Sequence, residues 1–424
     1  MGIPKQPVEN DHCPNPQFRF SKMDLVWTMN LFGTAVGAGI LFLPINLGIN
    51  KMFMVIFLGF LALPMTYLAH KALCHFVLSS SNHGANITDV AHEHFGNKSG
   101  RILTWCYFLS IYPIMMIYSV GITNTIESFW VNQLQGDPLN RLILSIAVVS
   151  ILFLVINLGE AAIIKFTSLL VYPLILALIF VSCYLIPRWN FNIAITVPDS
   201  GSFFSSLWFS IPVLIFAFNH AAIISSFAKA QHIAYGDKAV NHADKILKLN
   251  SICLLVFTMF FVFSTLLSID PDRLILAKQQ NISVTSFLAN ELNDPLLDIL
   301  GPLIAMVAMM SSFFGHYLGS KEGIKSLLSS ELPKNKQLNE HQKDRFTLWF
   351  LFITLLISTY FNPNILNLME YISGPITAII LFIMPAYAVM IVPRMKPYRC
   401  YFRHGFIFII GLIGLSSIIA GIIR

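Results

Sequence analysis

Long apolar segments constrain this chain more than any other feature of its sequence. There are eleven of them, separated by short polar loops, and most are long enough for a helix to cross a bilayer. They cover residues of about 23–49, 52–79, 100–131, 140–158, 161–186, 204–229, 246–269, 295–320, 345–361, 364–392 and 404–423. Only 11% of the residues are charged, against about 25% in a soluble domain. The sequence therefore predicts an all-α integral membrane protein with about eleven transmembrane helices.

The distribution of lysine and arginine predicts the orientation in the membrane. If the N-terminus is cytoplasmic, 21 of the 27 basic residues fall in cytoplasmic segments, as the positive-inside rule requires. Residues 1–22 are polar and lack a signal-peptide core, which predicts a cytoplasmic tail. Residues 23–424 then form a single transmembrane domain, and an odd number of helices places the C-terminus outside. The net charge of +6 lies in loops and does not indicate nucleic-acid binding.

A glycine-rich stretch from Gly33 to Gly39 interrupts the first apolar segment, and Pro44 follows it. Three glycines in seven residues lower the cost of leaving helical geometry. Lipid cannot satisfy free backbone N–H and C=O groups, so a broken helix must line a cavity or be buried in protein. Transporters hold substrates and ions at such breaks. The alternative is a packing face of small residues, since Gly33 and Gly37 form a Gly-x-x-x-Gly pair.

A weak internal symmetry accompanies this break. The sixth segment carries a polar interruption from Phe218 to Ala222, the third and eighth segments are both long, and Gly374-Pro375 is expected to interrupt the tenth. Residues of about 23–186 and 204–392 would form two five-helix halves, with an extra helix at about 404–423. This is the pattern of an inverted-repeat secondary transporter.

Two polar connections have structure of their own. Residues 86–95 begin with a capping asparagine and stop at Gly96, which predicts a short amphipathic helix on the inner surface. Its His92 and His94 do not share a helical face, so we expect solvated side chains and no metal site. On the outer side, residues 270–293 contain a short helix that could act as a lid.

Several stretches resemble the serine and threonine permeases of the bacterial hydroxy and aromatic amino acid permease family. They are Trp27–Asn46, Ile122–Thr125, Phe218–His220 with Ile224–Phe227, Tyr235–Asp237 and Phe314–Gly319. The resemblance runs through essentially the whole chain. It implies an eleven-helix version of the leucine-transporter fold, in the bacterial inner membrane. It also implies uptake of a small amino acid, usually driven by protons.

An enzymatic function is not expected. The chain has no His-Glu-x-x-His, Gly-x-Ser-x-Gly or phosphate-binding Walker motif. No cofactor other than a coupling ion is expected, and the expected partners are the amino acid and the lipid bilayer, with no obligatory protein partner. A channel or an amino acid sensor derived from a transporter remains an alternative. A sensor would bind its ligand without accumulating it.

The two breaks supply the candidate substrate site. Amides and the positive dipole end at the restart of the first helix suit a carboxylate, and freed carbonyls of the sixth helix suit an ammonium. The carboxylate candidates are Thr34, Gly37, Ala38 and Gly39, the ammonium candidates are Phe218 and Asn219, and the candidates for a substrate hydroxyl are Asn219, His220 and Ser225. A helix-packing hydrogen bond is the alternative role for Asn219.

Ionisable residues within the apolar segments are the candidates for ion coupling, because burial in lipid is costly. His220 and Glu370 are the proton candidates. Glu127 is expected to be solvated at the outer mouth, Lys165 to be an inner-face anchor and His316 to be a packing residue.

The chain departs from the permeases it resembles at two places. They carry a lysine where this chain has Ser311, beside Ser312, and hydroxyl oxygens there suit a hard cation. Ala221-Ala222 replaces the Ser-Pro of serine permeases. The sequence thus predicts a symporter that imports a small hydroxy amino acid such as serine with protons. A sodium-coupled symporter of cysteine, threonine or alanine is the alternative, and D-serine also stays open.

Overall fold

The computed structural model describes residues 20–48, 52–191, 200–292, 294–333 and 336–423, and contains no strand within these ranges. Most of the predicted N-terminal tail lies outside them. The α-helices are α1 (Lys22–Ala35), α2 (Ala38–Gly48), α3 (Met52–Leu78), α4 (Ile87–Ser128), α5 (Arg141–Ile156), α6 (Glu160–Tyr184), α7 (Ser200–Ala217), α8 (Ile224–Tyr235), α9 (Ala239–Ser268), α10 (Pro271–Gln280), α11 (Val284–Leu292), α12 (Pro295–Glu331), α13 (Glu340–Phe361), α14 (Ile365–Leu368), α15 (Gly374–Ala378), α16 (Met384–Ile391) and α17 (Tyr401–Ile423).

Each of the eleven predicted segments coincides with one helix or with consecutive helices. The first is the pair α1 and α2, the sixth the pair α7 and α8, and the tenth the series from α14 to α16. By length and hydropathy, the described residues contain eight stretches able to cross a membrane, or nine if α1 and α2 form one span. One of these stretches, Phe204–Ser268, contains two of the predicted segments. The all-helical membrane fold is confirmed, and the count of eleven stays a prediction.

The long helix α12 organises the packing around both breaks. It lies along α4 and α6 and also contacts α1 and the turn that follows α7. A Cβ atom at Gly315 would collide with the side chain of Thr34, and one at Gly319 would lie 2.9 Å from the carbonyl oxygen of Ala222. Glycine at these two positions therefore lets α12 approach the first and the sixth segments closely.

The amphipathic helix predicted at residues 86–95 is present as the first part of α4. Asn86 caps it in a capping box with Asp89. Gly96 has a φ of 75°, which ends the regular helix where the sequence predicts, and α4 continues beyond this kink. The segment is less solvated than expected, because Ile87 and Val90 are buried and Glu93 accepts hydrogen bonds from Ser80 and Ser81.

Two other local predictions need correction. The outer connection contains two short helices, α10 and α11, where one was expected, because Asn281 adopts the left-handed conformation and ends α10. The tenth segment is not broken at Gly374-Pro375. It continues through π-helical turns at Met369–Ser373 and Ile379–Ile383. Pro375 begins the helical turn after the first of these, a position that tolerates the missing N–H of proline.

Candidate functional site

The predicted break in the first segment is confirmed. α1 ends at Ala35 and α2 begins at Ala38, and the two helices are bent by 45°. Val36 between them is extended, with φ −77° and ψ 90°. The first amides of α2 have no carbonyl one turn earlier in their own helix. Their N–H groups and the positive end of the helix dipole are the groups to which the sequence analysis assigns a carboxylate, at Gly37, Ala38 and Gly39.

The glycine-rich stretch is broken and is also closely packed against neighbouring helices. A Cβ at Gly33 would collide with Val171 of α6, so Gly33 is a packing position. A Cβ at Gly37 would lie 2.6 Å from the Cβ of Ser312 and 2.9 Å from the ring of Tyr118. Gly37 therefore faces α12 and α4 at the break. The Thr34 hydroxyl instead donates to the carbonyl of Asn30 at 2.8 Å, within α1.

The break in the sixth segment is also confirmed, and it adjoins the first. α7 ends at Ala217, and a 3₁₀ turn from Ala221 to Ile223 leads into α8. A Cβ at Gly39 would lie 2.5 Å from the Cα of Ala217, so the two breaks are in direct contact. The side-chain oxygen of Asn219 accepts the N–H of Ala221 at 2.9 Å. This local bond agrees with a structural role for the Asn219 side chain and leaves its backbone carbonyl as the candidate ammonium ligand.

His220 is held by a second histidine, His70 of α3. The two rings stack with their centroids 3.5 Å apart, and both residues are buried. The backbone N–H of His220 donates to Nε2 of His70 at 3.0 Å, and Nδ1 of His70 lies 2.8 Å from the carbonyl of Thr66. A carbonyl only accepts, so Nδ1 of His70 carries the hydrogen and the ring is neutral.

The ring of His220 has partners of its own. Its Nδ1 lies 3.2 Å from the carbonyl of Phe218, and its Nε2 lies 3.5 Å from the side-chain amide of Asn250. By the same reasoning Nδ1 donates, and Nε2 accepts from Asn250. A neutral His220 thus fits every contact around it.

Oxygen atoms converge where α12 passes the first break. The Ser311 hydroxyl lies 3.2 Å from the carbonyl of Gly33 and 3.0 Å from that of Ala308. The Ser312 hydroxyl lies 3.0 Å from the carbonyl of Gly33 and 2.9 Å from that of Thr34. Five oxygen atoms, two of hydroxyls and three of carbonyls, therefore lie together beside the first break. Oxygen ligands of this kind suit a hard cation.

Two of the predicted site residues do not lie at the breaks. The Ser225 hydroxyl donates to Glu322 at 3.0 Å and accepts the N–H of Ile87 at 3.1 Å. Both Ser225 and Glu322 line a polar cavity of about 930 Å³ among the inner helix ends. Glu370 instead accepts a hydrogen bond from Asn46 at 2.8 Å, near the C-terminal end of α2.

A second cavity and a network of amides lie near the C-terminal end of α4. The cavity measures about 460 Å³. At its edge the Asn124 side chain donates to the carbonyl of Asn281 and to the side-chain oxygen of Asn362, both at 2.9 Å. Asn281 also donates to Asn362 at 3.1 Å. These bonds join α4 to the ends of α10 and α13. The helix α4 lines both cavities, at Asp89 and at Asn124, and passes the first break at Tyr118.

The remaining ionisable candidates have structural partners or are exposed. Glu127 forms an ion pair with Arg141 at 2.8 Å, rather than being simply solvated. Lys165 is exposed, as expected of an anchor. The Nδ1 atom of His316 lies 2.9 Å from the carbonyl of Ser312, and the His316 ring meets the ring of Tyr118 edge to face at 5.4 Å.

Sequence reasoning missed three residues of this region. His70 is a histidine inside an apolar segment, and that signal was as strong as the one from His220. Glu322 lay beyond the expected end of the eighth segment near residue 320, whereas α12 continues to Glu331. Tyr118 had no recognisable signal, because its role depends on its approach to Gly37 and His316.

Comparisons with known proteins agree with this architecture. The model of the tryptophan/tyrosine permease family matches residues 22–423. The serine transporter SdaC of Escherichia coli is 43% identical over 404 residues, covering 94% of both chains. The threonine/serine transporter TdcC of Yersinia enterocolitica is 35% identical over 421 residues, covering 94% of this chain and 95% of the relative. A manganese transporter from Eremococcus coleocola shares the fold, with a TM-score of 0.59, 16% identity, and coverage of 95% of this chain and 87% of that one.

Proposed function

The chain belongs to the tryptophan/tyrosine permease family, and we propose that it is a secondary transporter that imports a small hydroxy amino acid such as serine. The names of its relatives, a serine transporter and a threonine/serine transporter, support this substrate class. The structural observation that carries the proposal is the contact between the two breaks, at Gly39 and Ala217. Half-helices that meet inside a bundle expose backbone donors and acceptors together, as a zwitterion requires.

The substrate would be bound mainly by backbone groups. Its carboxylate would accept hydrogen bonds from the first amides of α2, at Gly37, Ala38 and Gly39, aided by the helix dipole. Its ammonium group would donate to the carbonyl oxygens of Phe218 and Asn219, at the end of α7. The cavities on either side of the breaks would then open in turn, so that the site faces the medium and the cytoplasm alternately.

For the coupling ion we propose sodium ahead of the proton that the family resemblance implies. Five oxygen atoms lie together at one place, those of Gly33, Thr34, Ala308, Ser311 and Ser312. The lysine expected at position 311 would replace the cation with a fixed charge, and this chain lacks it. Of the two proton candidates, His220 is already engaged by three partners and Glu370 bonds to Asn46 away from the breaks.

Either ion would supply enough energy for uptake without ATP. One positive charge that moves inward through about 100 mV gains about 2.3 kcal/mol, which corresponds to roughly 50-fold accumulation. With the N-terminus in the cytoplasm and the C-terminus outside, as the basic residues predict, the inner cavity would face the cytoplasm of a bacterial cell. A sensor that only binds its ligand is the alternative, and accumulation separates the two.

The test is uptake of labelled serine into proteoliposomes, with sodium and proton gradients imposed separately. We expect concentrative uptake driven by sodium in the unaltered protein, and loss of that dependence in the double variant S311A/S312A. The control is S182A, because Ser182 is also buried and donates only within its own helix. Uptake driven by protons alone, unchanged in the double variant, would reject sodium coupling. Serine binding without accumulation under either gradient would reject transport in favour of a sensor.

A further inference from the structure

His316 presents a buried acceptor that has no hydrogen-bond partner among the described residues. The residue is 1% exposed, and its Nδ1 atom lies 2.9 Å from the carbonyl oxygen of Ser312. A carbonyl only accepts, so Nδ1 carries the hydrogen and a neutral ring presents a lone pair at Nε2. That Nε2 atom is buried and makes no hydrogen bond with any described residue. Leaving such an atom unpaired costs about 1–3 kcal/mol, so it calls for a functional explanation.

The position of His316 places this acceptor between the two breaks. On α12 it follows Ser312, which contacts the carbonyls of the first break, by one turn. It precedes Gly319, which lies against Ala222 after the second break, by three residues. Residues so spaced share a helix face. The Tyr118 ring links His316 to Gly37, because it meets the His316 ring at 5.4 Å and would also touch a Cβ at Gly37.

The direction of the acceptor is fixed, which separates His316 from the unpartnered hydroxyls in the interior. Several of those atoms are serine and threonine hydroxyls. A hydroxyl can rotate its hydrogen towards a carbonyl of its own helix after a small change. An imidazole whose Nδ1 is bonded to the backbone cannot reorient without losing that bond. Its Nε2 acceptor therefore stays in place one turn of α12 from Ser312, which borders Gly37, where the carboxylate of the substrate is proposed to bind.

We propose that Nε2 of His316 accepts a hydrogen bond from the side-chain hydroxyl of the substrate, and that this bond selects serine or threonine over alanine. The inference rests on the proposed function and identifies the residue that recognises the side chain of the substrate. The hydroxyl of serine stands close to its own carboxylate, so its acceptor must lie near the carboxylate site. His316 is one helical turn from Ser312, which a Cβ at Gly37 would meet. A substrate without a hydroxyl would leave Nε2 unpaired, and the site would bind it less tightly.

The experiment compares two substitutions that keep different halves of the imidazole. In H316N the amide can still donate to the Ser312 carbonyl in place of Nδ1, but nothing replaces Nε2. In H316Q the longer side chain can present its oxygen where Nε2 stands. The control is H404N, because His404 is buried on α17 and its Nδ1 lies 2.8 Å from the backbone carbonyl of Cys400. Serine and alanine affinities are measured by ligand-induced thermal stabilisation and by competition for labelled serine uptake.

We expect H316N to lose about tenfold in serine affinity, the value of one ordinary hydrogen bond, with alanine affinity unchanged. H316Q should retain part of the preference, and H404N all of it. An unchanged preference for serine in H316N would overturn the inference, as would an equal loss for both amino acids, which indicates a structural role. If the unaltered protein binds neither amino acid, the proposed function itself fails. If it accumulates serine while H316N keeps the preference, only the role of His316 fails.

Discussion

The two helix breaks satisfy their backbone groups in different ways. At the second break, side chains occupy the freed positions, because Asn219 caps Ala221, and His70 accepts the N–H of His220. At the first break, the adjacent residues are small, and the hydroxyls of Ser311 and Ser312 contact the nearby carbonyls.

The second break is therefore fixed by side-chain hydrogen bonds, whereas the backbone groups of the first break can bind a ligand. Bonds from its own and neighbouring side chains fix the second break, so it can present its carbonyls in a constant geometry. The first break retains amides and carbonyl oxygens, which are the groups that an anion and a cation need. The comparison implies that substitutions at the first break should impair ligand binding, whereas those at the second should mainly reduce stability.

The largest expected effect is at Gly37. We expect G37L to reduce serine uptake about a hundredfold or more, because the new side chain would occupy the space of Ser312 and the Tyr118 ring, at a cost of about 3 kcal/mol. Uptake into proteoliposomes measures the loss, and gel filtration checks that the variant is folded. The matched control is G405L, since a Cβ at Gly405 meets no atom within 4 Å. Normal uptake by G37L would remove the first break from the site.

The serine pair offers a ranked prediction within the first break. We expect S312A to raise the sodium concentration for half-maximal uptake about tenfold and S311A only about threefold. The reason is that Ser312 contacts the carbonyls of both Gly33 and Thr34, whereas one of the two contacts of Ser311 is within its own helix. Sodium titrations of uptake by each single variant measure the difference. The reverse order would mean that the carbonyl of Ala308 matters more than that of Thr34.

At the second break we expect a loss of stability. H70F can keep a stacked ring on His220 but leaves the buried N–H of His220 without an acceptor, which costs about 1–3 kcal/mol. The midpoint of thermal unfolding should fall by a few degrees. The matched control is H83F, because His83 also stacks on a histidine, His232, at 3.7 Å but is exposed. A variant as stable as the unaltered protein, with serine uptake abolished, would make the histidine pair part of the binding site.

The smallest effect is expected at Asn219. N219A removes the acceptor of the Ala221 N–H and should cost about 1 kcal/mol of stability, while the KM for serine stays unchanged. The control is N82A, because Asn82 accepts the N–H of Gly84 in the same way on the exposed surface. A KM increase of about tenfold without loss of stability would instead support direct contact between the Asn219 side chain and the substrate.

Much of the fold followed from the sequence because its causes are local. A continuous apolar helix is disfavoured at two places, by the glycines at positions 33, 37 and 39 and by the polar group at Phe218–His220. The structure has a helix break at both places. The capping box at Asn86 and the stop at Gly96 likewise depend on neighbouring residues. The interruption predicted at Gly374-Pro375 was wrong, because a π-helical turn before the proline lets the helix continue without a break.

The details of the site could not be predicted because they depend on tertiary contacts. Ser225 is only five residues beyond His220, yet helical geometry turns it towards Glu322 in the inner cavity. His316 looked like a packing residue, and only the position of Ser312 and Tyr118 shows which of its nitrogens lacks a partner. His70 and His220 are 150 residues apart, so their stacking has no local signature.

The amide network of Asn124, Asn281 and Asn362 has a consequence for the environments in which the protein can work. These side chains carry no charge at any physiological pH, so acid does not titrate their bonds and salt hardly screens them. In the proposed orientation they lie at the end of the bundle towards the medium, whose acidity and salinity a bacterium does not control. This network would thus keep its bonds in any medium. The ion pair that Glu127, which lines the same cavity, forms with Arg141 would instead weaken at high salt.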